Sequence, residues 1–115
     1  MLDSSKSFNN AQEDCRTRDA LLLYFTSMEM YNNMRNEIGS QIYGTRYWIG
    51  MRDNNDTMEG LIWDHNNAPA IFNGLENIIA DITNDVERCC MLYQHQIRDW
   101  SCNTPLRYIC LKVEG

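Results

Sequence analysis

Five cysteines, at Cys15, Cys89, Cys90, Cys102 and Cys110, stand in a chain of 115 residues. By type they are the side chains best suited to covalent chemistry. The count is high for a cytosolic protein of this size and points to an oxidising, extracellular compartment, where the thiols form a disulfide framework. Zinc would have to use Cys89, Cys90 and His95, yet no C-x-x-C or H-x-x-x-H spacing supports it. A vicinal Cys89 to Cys90 bond is strained. Nucleophilic catalysis needs a base beside the nucleophile and a third group to orient it. No Gly-framed Ser or Cys with a suitable His downstream occurs. His65 and His95 read as surface residues and the carboxylates show no pairing motif. The chain is therefore read as no enzyme, with no catalytic residue, metal or cofactor expected.

The composition narrows the partners. The net charge is −6 and 43% of residues are apolar, a globular composition. No Lys/Arg cluster is present to neutralise a phosphate backbone, so nucleic acid is not an expected partner. No apolar run approaches the roughly 20 residues of a bilayer crossing, so this segment is expected to make no direct membrane contact. Met1 is followed by polar residues rather than a signal-peptide core. The expectation is a fragment, either secreted or the ectodomain of a protein anchored upstream.

The elements that must position these side chains follow from periodicity. Phe8, Ala11 and Cys15 recur at helical spacing, which turns Cys15 to the core. "LLLYF", residues 21–25, reads as a buried strand or extended crossing. Thr26 as N-cap with Glu29 in capping-box position predicts a second helix, lined by Tyr31, Met34 and Ile38, that Gly39 and Gly44 break. "YWIGM" predicts a strand. Residues 52–87 read as a long irregular excursion, of the kind that is often functional, with "ENIIADI" a helical turn or an extended segment. "CCMLYQ" and "RYICLKV" predict two strands joined by the polar "HQIRDWSCNTPL". Without repeats or a linker, residues 1–115 make a single domain. "NDT" offers a glycan acceptor at Asn55 in a turn-rich stretch.

Taken in order, "FNNAQEDC", "TSMEM", "YWIGM", "LIWDH" and the closing "CxxL…C…YIC" resemble the C-type lectin-like domain over nearly the whole chain from about Phe8 onward. The resemblance implies an α+β, C-type lectin-like fold with two helices, antiparallel strands and a long irregular loop, disulfide-stapled, here lacking the family's first hairpin. It also implies a bridge from Cys15 to Cys110 and a second from the strand after the long loop to Cys102. The partner of Cys102 is Cys89 or Cys90, which point to opposite sides of a strand. Cys89 is preferred because Leu92 and Ile97 then fall where the family places apolar residues. The leftover Cys90 is a buried thiol or an intermolecular bridge.

Sugar-binding members coordinate calcium through a loop triplet containing proline and a Trp-Asn-Asp triplet. Here the second triplet falls on Ile97, Arg98 and Asp99, which puts a guanidinium where an amide oxygen is needed. "GLENI" supplies Glu76 and Asn77 without the proline. A structural calcium on Asp81, Asp85 or Glu87 is the remaining metal option. The pattern is similar to the natural-killer-receptor-like branch, whose members bind protein ligands, often as homodimers and as type II membrane proteins. It implies a calcium-independent immune-recognition module whose partner is a cell-surface protein, receptor or ligand. The expected contact residues are Asn73, Glu76, Asn77, His95, Gln96, Arg98, Asp99 and Trp100. A calcium-dependent glycan-binding lectin with a divergent site is the alternative.

Overall fold

A computed structural model describes residues 5–53, 60–70, 72–81 and 89–112. The Asn55 sequon and the carboxylates of Asp85 and Glu87 lie outside the described residues.

Ser7 opens helix α1 (Phe8–Thr17), its hydroxyl accepting from the Asn10 amide. Phe8, Ala11 and Cys15 are fully buried, as the helical spacing requires. Strand β1 (Ala20–Leu22) follows, and Leu23 and Phe25 continue it as buried extended chain. Helix α2 (Met28–Ile42) is capped by Ser27, which accepts from the Met30 amide at 3.2 Å, and not by Thr26. Glu29 accordingly sits one position earlier than a capping box needs. Gly39 does not break the helix. It is buried within it, and a Cβ there would stand 3.1 Å from the His95 ring, so its role is to admit that ring.

The rest is mostly sheet. Strand β2 (Tyr47–Asp53) pairs antiparallel with β3 (Leu61–Trp63) and with β5 (Cys89–Tyr93). Strand β5 pairs antiparallel with β6 (Gln96–Trp100), and β6 pairs parallel with β4 (Ile79–Asp81). The short β7 (Arg107–Tyr108) lies parallel to the start of β2. Strand β8 (Cys110–Lys112) forms a separate antiparallel ribbon with β1. The expected irregular excursion thus contains β3, β4 and a 3-10 turn at Leu75–Asn77. "ENIIADI" is both of its alternatives in succession, the turn and then the strand. The polar stretch before Cys102, expected as a connection, holds β6.

Alternation along the sheet separates two cores. Tyr47, Ile49, Met51, Cys90, Leu92 and Ile97 face the core beneath α2, with Tyr31, Phe25 and Trp63. Trp48, Cys89 and Met91 face the core beneath α1, with Phe8, Cys15 and Tyr108. Cys89 and Cys90 therefore point to opposite sides. The bridges are Cys15–Cys110 and Cys89–Cys102, with Cys90 buried on the other face. A thiol with no exposed surface cannot bridge two copies of this fold, which removes the intermolecular alternative for Cys90.

The turn leading into the 3-10 segment depends on Gly74, at φ +95°, where a Cβ would lie 2.3 Å from Met28 Cγ at the start of α2. Gly74→Ala is expected to destabilise by about 2 to 3 kcal/mol, the sum of left-handed backbone strain and a contact that Met28 relieves only in part. Urea unfolding of Gly74→Ala and of Gly74→Ala/Met28→Ala separates the two contributions, because truncating Met28 removes the clash and leaves the strain.

Candidate functional site

The site is built on β6, whose side chains alternate. Ile97 is fully buried and Asp99 is only 8% exposed, whereas Gln96, Arg98 and Trp100 share the opposite face. Strand β5 extends that face, with Met91 opposite Arg98 and Tyr93 opposite Gln96. Arg46 completes it. Its guanidinium lies 4.5 Å from the Tyr93 ring centroid and 5.4 Å from that of Trp100, so one cation bridges two aromatic rings. Sequence reasoning missed Arg46 and Tyr93. Only the register carries that signal, since Tyr47 pairs with Leu92 and so places Arg46 beside Tyr93.

Arg98 is half-buried and not a simply solvated cation: its Nε is buried without a hydrogen-bond partner among the described residues. Asn73, Glu76 and Asn77 are exposed on the segment 72–77. The Ile97 amide donates to the Ile78 carbonyl at 2.7 Å, which sets this segment beside the Gln96 end of β6. Trp100 occupies the other end of the strand.

His95 is engaged in the fold. Gln94 and His95 both take positive φ, 52° and 66°, and form the two-residue turn between β5 and β6. Positive φ is uncommon for any residue but glycine, and contacts to α2 hold the turn in place. Tyr31 Oη donates to the His95 carbonyl, His95 Nε2 lies 3.2 Å from the Gly39 carbonyl oxygen, and the Tyr43 ring packs 4.9 Å away. Burial pushes the Tyr31 hydroxyl pKa up, with Arg35 opposing the rise. The other histidine, His65, packs 4.8 Å from the Tyr24 ring; burial lowers its pKa and neighbouring Asp64 acts against that.

The expected contact set thus divides. Asn73, Glu76, Asn77 and Gln96 form an exposed polar end, and Arg98 and Trp100 join Arg46 and Tyr93 on the sheet face. Asp99 is buried within the fold and the His95 ring packs against α2.

This arrangement does not suit a calcium ion. Among the described residues no three His, Cys, Asp or Glu side chains gather into a metal-holding group. The segment that would supply oxygen ligands offers a buried isoleucine, a buried carboxylate and a guanidinium. A hard cation needs six to eight oxygens, and Arg98 would add like charge beside it.

The sequence pattern described as "Lectin C-type domain" matches residues 4–112. The chain belongs to the C-type lectin domain family. Domains of this family are generally non-enzymatic binding modules, and those with disulfides are typically extracellular. A tetranectin-like protein of Carcharhinus perezii is 29% identical over 110 residues, covering 92% of this chain; the chain spans 64% of that relative's length. Solved structures share the fold. The carbohydrate-recognition domain of the mouse scavenger receptor C-type lectin superposes with a TM-score of 0.73 at 20% identity, over 98% of this chain and 87% of that one. The Kupffer cell C-type lectin receptor Clec4f, solved as a trimer, gives 0.72 at 20% identity, over 98% and 76%. A calcium-independent type II antifreeze protein gives 0.69 at 14% identity, over 95% and 80%. Among the described residues no helix of this C-type lectin domain is long and apolar enough to cross a membrane.

Proposed function

We propose that this C-type lectin domain is a non-catalytic extracellular module that recognises a cell-surface protein without calcium, in the manner of natural-killer-type receptors or their ligands. The observation that carries the reading is Arg98, a half-buried cation on β6 where a calcium-binding member needs an amide oxygen. Two further features support it. Arg46, Tyr93, Arg98 and Trp100 supply the residue types that dominate protein interfaces. The fold is also shared with a protein described as calcium-independent. On this reading Asn73, Glu76, Asn77 and Gln96 form the polar rim of the contact and the Arg46–Trp100 cluster its centre.

Fluorescent tetramers of the domain on intact cells test the proposal. Binding is expected to persist in chelator and to disappear after protease treatment of the cells. Arg46→Ala should weaken it at least about 10-fold, the scale of a hot-spot residue. Staining that vanishes in chelator and is blocked by a free monosaccharide would instead establish a calcium-dependent glycan lectin.

A further inference from the structure

Asn-Gly is the sequence that a two-residue hairpin turn with both φ positive prefers. The turn between β5 and β6 has that geometry, yet Gln94 and His95 stand there instead. A conformation uncommon for residues that carry side chains is kept where the surroundings demand it. The fold therefore retains a side chain that the turn itself does not require.

The contacts of His95 show its use. Gly39 of α2 leaves room for the ring, since a Cβ there would stand 3.1 Å from Nε2. The ring then packs edge-on against Tyr43, with centroids 4.9 Å apart. Tyr43 is the C-terminal cap of α2, and its carbonyl accepts from the Gln94 amide at 3.1 Å. Among the described residues Tyr43 is also the one large hydrophobic side chain left exposed, at 48%. A lone exposed tyrosine is ordinary. One that is held by a ring seated between the hairpin turn and α2 is ordered before any partner arrives, and such pre-organisation lowers the entropy cost of binding.

We infer that Tyr43 is a second anchor of the recognition surface and that His95 is the residue positioning it. The inference rests on the protein-recognition reading and adds a place and a contact to it. The place is the tip of the β5–β6 hairpin, beside the exposed Gln94 and Gln96, at the end of β6 where the polar segment 72–77 lies. Trp100 stands at the opposite end of the strand, so the two anchors span β6. The contact is an apolar side chain of the partner protein, aliphatic or proline, seated on the Tyr43 ring while the hydroxyl stays in water.

The test uses the same tetramers, on cells that the wild-type domain stains in chelator, with the melting temperature of each variant measured alongside. Tyr43→Ser should melt like the wild type and weaken staining at least about 10-fold, the scale of a hot-spot residue. Gln94→Asn should leave staining unchanged. Gln94→Asn/His95→Gly installs the preferred turn and removes the ring behind Tyr43. It should melt no lower than the wild type and yet stain several-fold more weakly, which a merely structural role for His95 would not produce. Tyr43→Ser that stains like the wild type, while Arg46→Ala stains weakly, overturns the inference and leaves the protein-recognition reading intact. So does a double variant that keeps full staining, or one that loses staining and melting temperature together. Wild-type staining that vanishes in chelator removes the reading, and this inference with it.

Discussion

Replacing Cys15 and Cys110 together by alanine is expected to lower stability by about 4 to 5 kcal/mol, the cost of releasing a loop of this length in the unfolded chain. The bridge spans a sequence separation of 95 and ties α1 to β8, so it closes nearly the entire domain. The Cys89–Cys102 bridge has a separation of 13, and loop-closure entropy assigns it about 3 kcal/mol. The ordering is the diagnostic. Urea unfolding of the two double-alanine variants should place Cys15→Ala/Cys110→Ala below Cys89→Ala/Cys102→Ala. The opposite order would mean that local packing around Cys89 outweighs chain entropy.

Trp48→Ala carries the next largest effect, a loss of about 3 to 5 kcal/mol. Trp48 is fully exposed to neither solvent nor the α2 side: it is completely buried in the core beneath α1, edge-on to Phe8 with ring centroids 5.5 Å apart. Its indole Nε1 donates to the Lys6 carbonyl at 2.8 Å and so fixes the chain entering α1. Truncation opens a cavity and removes the indole donor from the Lys6 carbonyl, which keeps the Leu106 amide at 3.0 Å. Trp48→Phe, which restores most of the volume and not the hydrogen bond, should recover more than half of the loss. Equal losses in both variants would place the energy in the hydrogen bond.

Why some of this was legible in the sequence and some was not has a physical pattern. Phe8, Ala11 and Cys15 announced α1 because one helix face is buried against one core. The aromatic and β-branched run at Tyr47 announced β2 for the same reason. The preference for Cys89 over Cys90 held because adjacent strand residues face different cores. Strand β6 was not legible. Its hairpin turn is Gln94 and His95, which carry no turn chemistry of their own and are held at positive φ by Tyr31 and Gly39 of α2. Strands β3 and β4, of three residues each, are too short for a period of two to show. Gly39 read as a breaker because its use, admitting a ring from another element, is tertiary.

The functional residues divide in the same way. The cation at Arg98 was readable as chemistry out of place for calcium. The aromatic cluster around Arg46 exists only through the β2–β5–β6 register, and Asp99 was expected at the surface but is buried.

Thermal unfolding of the oxidised domain in calcium and in excess chelator tests the central claim most directly. A native-state ligand at roughly 100-fold excess over its Kd adds about 2.7 kcal/mol, a rise in Tm of several degrees for a domain of this size. Calcium-independent recognition predicts superimposable transitions in the two buffers. A Tm higher in calcium by several degrees, with that rise abolished by Asp99→Ala, would contradict it and place a calcium ion at β6.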